Sequence, residues 1–140
     1  MNVEGRSRAA QVTIAAVALG VGTVAVLRTG HVGFDSRRSV PLIDSRLVDG
    51  ALLTFNRAGA LVVLVLGIVA LAGALARWRS LVLVVVGGFT LVVVQVLAQY
   101  GRAVNLLGTN GSNLSFALAA AVGLATLSLC STRRSARPGR

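Results

Sequence analysis

The chain has 140 residues, 55% of them hydrophobic and only 13% charged, whereas soluble domains carry roughly 25% charge, so this composition needs an apolar solvent and excludes a large water-soluble catalytic domain. All 14 basic residues are arginine, against the four acids Glu4, Asp35, Asp44 and Asp49, for a formal net charge of +10. A nucleic-acid footprint would spread that charge over one continuous face; these arginines stand in short clusters between uncharged runs, so no nucleic-acid partner is expected.

Four apolar spans follow one another along the chain. Residues 9–27, 58–76, 81–98 and 114–130 give runs of 19, 19, 18 and 17 residues without a formal charge. At about 1.5 Å rise per residue each approaches the ~30 Å hydrocarbon thickness of a bilayer. The fold expected is therefore an all-α membrane protein, a single domain over 1–140 with four transmembrane helices in an up-down-up-down bundle.

Arg6 and Arg8 precede the first span as they would in a signal peptide. The span is longer than a usual signal core and ends in Ala25-Val26-Leu27-Arg28 without a small-x-small cleavage site, so it reads as a retained helix. The loop 28–57 begins irregularly around Gly30, Gly33 and Asp35-Ser36-Arg37-Arg38. Arg37 and Arg38 are candidates for bidentate contact with lipid phosphate or a partner's carboxylate, with solvated pairing to Asp35 as the plainer alternative. Its second half reads as an amphipathic helix. Ser39 stands at the N-cap, Pro41 in the first turn and Asp44 near the positive dipole end, and Val40, Ile43, Leu47, Ala51 and Phe55 recur on one face. Such a segment lies on the membrane, caps the bundle or extends the second span.

The link Arg77-Trp78-Arg79-Ser80 is too short for anything but an antiparallel hairpin between spans two and three. Trp78 and Tyr100 sit where aromatic rings anchor at membrane interfaces. Residues 108–113 form a turn-rich run, and the basic tail 131–140 follows the fourth span. Residues 1–8, 77–80 and 131–140 hold eight arginines in 22 positions, against six in the 45 positions of 28–57 and 99–113. By arginine density both termini are cytoplasmic, and the arginine-only, alanine- and valine-rich usage points to the inner membrane of a GC-rich bacterium.

In lipid, helices associate through small residues and scarce polar groups. Ala16 with Gly20, Ala18 with Gly22, Ala70 with Ala74, Ala117 with Ala121 and Ala125, and Ala119 with Gly123 are the expected contact pairs. Gly87-Gly88 is expected to mark a close crossing. Gln95, an amide within the third span, is expected to face protein or water.

Cys130 and His31 are single residues of their kinds, which removes an intramolecular disulfide, a CxxC pair, an HExxH zinc site and a bis-histidine haem within one chain; no cofactor or metal is expected. No acid or histidine falls within a span. In size and span number the chain resembles the small four-helix multidrug exporters, which depend on a glutamate in the first helix; residues 9–27 supply none. Three functions remain. The first is a non-catalytic accessory, assembly or regulatory partner of a larger membrane complex, contacting membrane lipid and another membrane protein or itself. The second is an oligomeric channel or carrier for an uncharged solute, with Thr23, Thr90, Gln95, Thr126 and Ser128 as lining residues. The third is a lipid-acting enzyme using Asp35, Arg37, Arg38, Asp44, Arg102 and Asn105.

Overall fold

A computed structural model of the chain describes residues 3–30, 40–41, 44–45, 50–51, 53–99, 106–107, 109 and 111–135. Four helices dominate it: α1 (Val3–Thr29), α2 (Arg57–Ala76), α3 (Arg79–Gln99) and α4 (Gly111–Ser135). Each contains one of the apolar spans and is long and apolar enough to cross a membrane. In hydrocarbon no water competes for backbone groups, so runs of Val, Leu and Ala take the conformation that satisfies every N–H and C=O internally. The chain is a multi-pass helical membrane protein.

Contacts between helices run in opposite chain directions. Gly22 of α1 lies against Leu64 of α2, and Leu19 of α1 against Gly67. Gly73 of α2 meets Leu81 and Val82 of α3, whereas Leu66, earlier in α2, meets Gly88, later in α3. Ile14 of α1 touches Gly123 of α4, while Ser7 Oγ, seven positions earlier in α1, donates to the Leu127 carbonyl at 3.4 Å.

Residue size decides what is inside. The buried positions of α1 are Ala15, Ala18, Gly22, Ala25 and Thr29; those of α2 include Ala60, Val63, Gly67, Ala70 and Ala74; those of α3 are Val82, Val85, Phe89, Val92 and Val96. In all three the spacing alternates three and four, the heptad rhythm that gives left-handed crossings of about 20°. α1 and α2 meet backbone to backbone: a Cβ on Gly22 would stand 2.5 Å from Leu64 Cα, and one on Gly67 would stand 2.6 Å from Leu19 Cα. α3 presents larger knobs, which α4 receives between Ala117, Ala120, Ala121 and Leu124. At mid-bundle Phe89 is fully buried and meets Phe116 edge to face, with ring centroids 6.2 Å apart and an interplanar angle of 82°.

Of the expected contact pairs, Ala18 with Gly22, Ala70 with Ala74 and Ala117 with Ala121 are buried, whereas Ala16 and Gly20 are exposed. They lie on the opposite face of α1 from the Ala18–Gly22 seam. α3 runs unbroken through Gly87-Gly88, with Gly88 pressed on the Leu66 side chain and Gly87 in open space.

The expected helix over 40–55 is corrected by the described residues, which are extended instead. β1 (Val40–Pro41) pairs antiparallel with β4 (Thr54–Phe55), and β2 (Asp44–Ser45) with β3 (Gly50–Ala51), both ladders in one register. Two local features favour the extended form: Gly50, a poor helix former, pairs with Ser45, and Phe55 finds its burial at 2% exposure against Ala25, Ala60 and Val63 without a helical face. Asp44 therefore stands in an extended segment opposite Ala51 and not in the first turn of a helix.

Candidate functional site

Among the described residues three regions have chemistry beyond apolar packing. The first is the bundle end away from the chain termini. Asn56, 0% exposed, caps α2 by accepting from the Gly59 N–H at 2.8 Å, donates its own N–H to the Leu107 carbonyl at 3.2 Å and sends Nδ2 to the Leu106 carbonyl at 2.7 Å. The Leu106 N–H in turn donates to Gln99 Oε1 at 2.9 Å. Gly59 lies directly under the Leu107 carbonyl oxygen, where any Cβ would collide. Asn113, 2% exposed, gives its amide to β4, Nδ2 donating to the Thr54 carbonyl at 2.9 Å and Oδ1 accepting from the Thr54 N–H at 3.2 Å. Thr29 returns its hydroxyl to the Ala25 carbonyl at 2.8 Å. Two asparagines thus tie the ends of α2 and α4 to the intervening segments, spending their polar capacity on backbone groups that would be costly to bury unpaired.

The second region is the end that carries both termini. Arg8 Nη2 donates to the Leu75 carbonyl at 2.9 Å, placing a cation at the negative end of α2. Arg77 then takes a left-handed conformation at φ 60°, and its N–H and that of Trp78 both donate to the Gly73 carbonyl, the latter at 3.0 Å. The Trp78 carbonyl accepts from Leu81 and Val82, so α3 starts at once.

The third region is the outward face of α1. Ala9, Thr13, Ala16, Gly20 and Thr23 are all exposed and repeat at four- and three-residue intervals. The Thr13 and Thr23 hydroxyls fold onto their own helix, donating to Ala9 and Leu19 carbonyls at 2.9 and 2.8 Å. The same face of α1 also exposes Val17, Val24 and Leu27, whereas the exposed large residues are more numerous on α2 (Val62, Val65, Ile68 and Leu75) and α3 (Leu83, Val84, Leu91, Val94 and Leu97).

Asp35, Arg37, Arg38, Arg102 and Asn105 lie outside the described residues, and of Asp44 only the backbone is described. Gln95 is half-buried on α3. Thr90 is exposed, with its hydroxyl donating to the Val86 carbonyl at 2.8 Å, and Thr23 and Thr126 are exposed too; of the proposed lining residues only Ser128 is buried. Between the helices of one chain the described interior is filled by Ala, Val, Phe89 and Leu124. Among the described residues no three of His, Cys, Asp and Glu come together as a metal would require. The sequence reading missed Asn56 and Asn113 as anchors. An asparagine just before an apolar run is an N-cap signal and marks Asn56, whereas nothing in a turn-rich run reveals that the Asn113 amide finds a strand.

Comparison of the chain with protein-family models, with curated proteins and with solved structures returns no match.

Proposed function

We propose that the chain is a non-catalytic accessory or assembly subunit of a larger complex in a bacterial inner membrane, with both termini cytoplasmic, and that α1 is the helix its partner touches. The observation that carries this reading is the stripe of small residues, Ala9, Thr13, Ala16, Gly20 and Thr23, that runs beside Val17 and Val24 on the exposed face of α1. Lipid tails gain nothing from alanine, glycine and threonine over valine and leucine. A second helix does, because small side chains let backbones approach and add dispersion contacts along the crossing. The α1–α2 seam uses the same device within the chain, with Gly22 and Gly67 at the point of closest approach. Two such faces on one helix fit a strut between the chain's own α2 and a neighbouring transmembrane helix. The arginine density of the terminal end supports the orientation. Affinity purification from native membranes in mild detergent tests the reading: a stoichiometric membrane partner is expected, and a lone monomer counts against it.

A further inference from the structure

The bundle end that carries both termini gathers the cations Arg6, Arg8, Arg77 and Arg79 against a single described acid, Glu4, one turn before Arg8 in α1. Arg8 reaches Leu75 at 2.9 Å, two positions before Arg77, and Arg79 opens α3 immediately after Trp78. Arg77, Trp78 and Arg79 are exposed, Trp78 at 62%. The contact with Leu75 uses one of Arg8's five N–H donors and fixes the guanidinium, leaving the rest of the fork available. α3 has no acid in its first turn, so the positive end of a 21-residue helix opens at the same corner. One turn further into the apolar region Leu75, Leu83 and Val84 are exposed at 55%, 44% and 64%.

We infer that Arg8, Arg77 and Arg79, with Trp78, form a binding site for the phosphodiester headgroup of an anionic membrane phospholipid whose acyl chains lie along Leu75, Leu83 and Val84. The inference rests on the membrane-spanning fold and is independent of the partner proposed for α1. Guanidinium forks match phosphate oxygens in pairs, the positive end of the α3 dipole favours an anion beside Arg79, and an indole suits the interfacial glycerol region. Diffuse positive charge attracts anionic lipid without a fixed position. Here three arginines from two chain segments are held to one corner by the Arg8–Leu75 hydrogen bond and the tight 77–78 turn.

Trp78, the only tryptophan, is a built-in reporter. The full chain is reconstituted in phosphatidylcholine vesicles containing equal fractions of either brominated phosphatidylglycerol or brominated phosphatidylcholine, and quenching of Trp78 is measured. Each arginine at an anionic surface is worth about a fivefold preference, so brominated phosphatidylglycerol is expected to quench with at least that relative advantage. The Arg77→Gln/Arg79→Gln pair should abolish the advantage, and Arg137→Gln/Arg140→Gln, which removes the same charge from the tail, should retain it. If the glutamine pair impairs folding, Arg79→Gln alone leaves the left-handed position untouched and should lower the advantage severalfold. Equal quenching by the two brominated lipids overturns the site, as does an equal loss in the two double variants or an unchanged advantage in Arg79→Gln. Inorganic phosphate added to phosphatidylcholine vesicles should leave Trp78 emission unchanged and should not compete with phosphatidylglycerol; competition would make the ligand a soluble phosphate and overturn the lipid assignment.

Discussion

The side-chain amide of Asn113 stands in for a neighbouring strand, meeting both backbone groups of Thr54 at 2.9 and 3.2 Å. Strand β4 therefore has β1 on one edge and the first turn of α4 on the other, and Pro41, which lacks an N–H, can sit opposite Thr54 without leaving the Thr54 carbonyl unbonded. Replacing Asn113 by leucine removes both bonds from a site that is 2% exposed. A loss of about 2–3 kcal/mol is expected from stranding the two backbone groups. Asn113→Asp should also destabilise, because it keeps the acceptor and turns an oxygen toward the Thr54 carbonyl. Reversible unfolding in detergent reads both changes.

Gly22 and Gly67 set the spacing of α1 and α2. A methyl group at either would press on backbone of the facing helix at 2.5 or 2.6 Å, and backbone cannot move aside as a flexible side chain can. Gly22→Ala and Gly67→Ala should each cost on the order of 1–3 kcal/mol, as overpacking does. Gly20→Ala adds the same methyl group where nothing lies within 4 Å. It should be neutral for the isolated chain or stabilise it slightly through helix propensity. Thermal melts of the three variants check the contrast.

Arg77 holds φ 60° at the end of α2, a conformation that costs a non-glycine residue about 1 kcal/mol and glycine little. Arg77→Gly should therefore raise thermal stability while lowering the preference for phosphatidylglycerol. A variant that gains stability and loses lipid preference separates the two roles of this position.

Among the described residues Phe89 is the largest fully buried side chain, and its edge-to-face contact with Phe116 joins α3 to α4. Phe89→Ala should cost about 3 kcal/mol or more, because the alanines of α4 are too small to fill the cavity. Phe89→Leu should cost less. Unfolding free energies of the two variants test the ranking.

The spans were legible because charge is absent from them, and that signal is insensitive to which face is buried. Within a run such as Ala9–Leu27 every position is apolar enough for lipid, so the inward face is written in size, with Ala15, Ala18, Gly22, Ala25 and Thr29 facing in. Ala16 and Gly20 have the same sizes and face out, and only the position of α2 separates the two stripes. In the 40–55 segment, apolar residues at helical spacing were misleading because Phe55 buries itself from an extended strand, and the register depends on the Asn113 amide 59 positions from Thr54. The arginine cluster was legible as topology alone. Its convergence at one corner depends on Arg8 crossing to α2.

The central claim, that α1's outward face holds a membrane partner, is tested most directly by measuring the fraction of chain recovered in a larger complex for the wild type, Gly20→Leu and Gly87→Leu. Gly20 and Gly87 are both exposed with open space around them, so both leucine variants should leave the isolated bundle intact. The account predicts that the wild type and Gly87→Leu co-purify with a stoichiometric partner and that Gly20→Leu is recovered alone and folded. Equal recovery of the complex with Gly20→Leu, or a wild-type chain that elutes as a monomer, would contradict it.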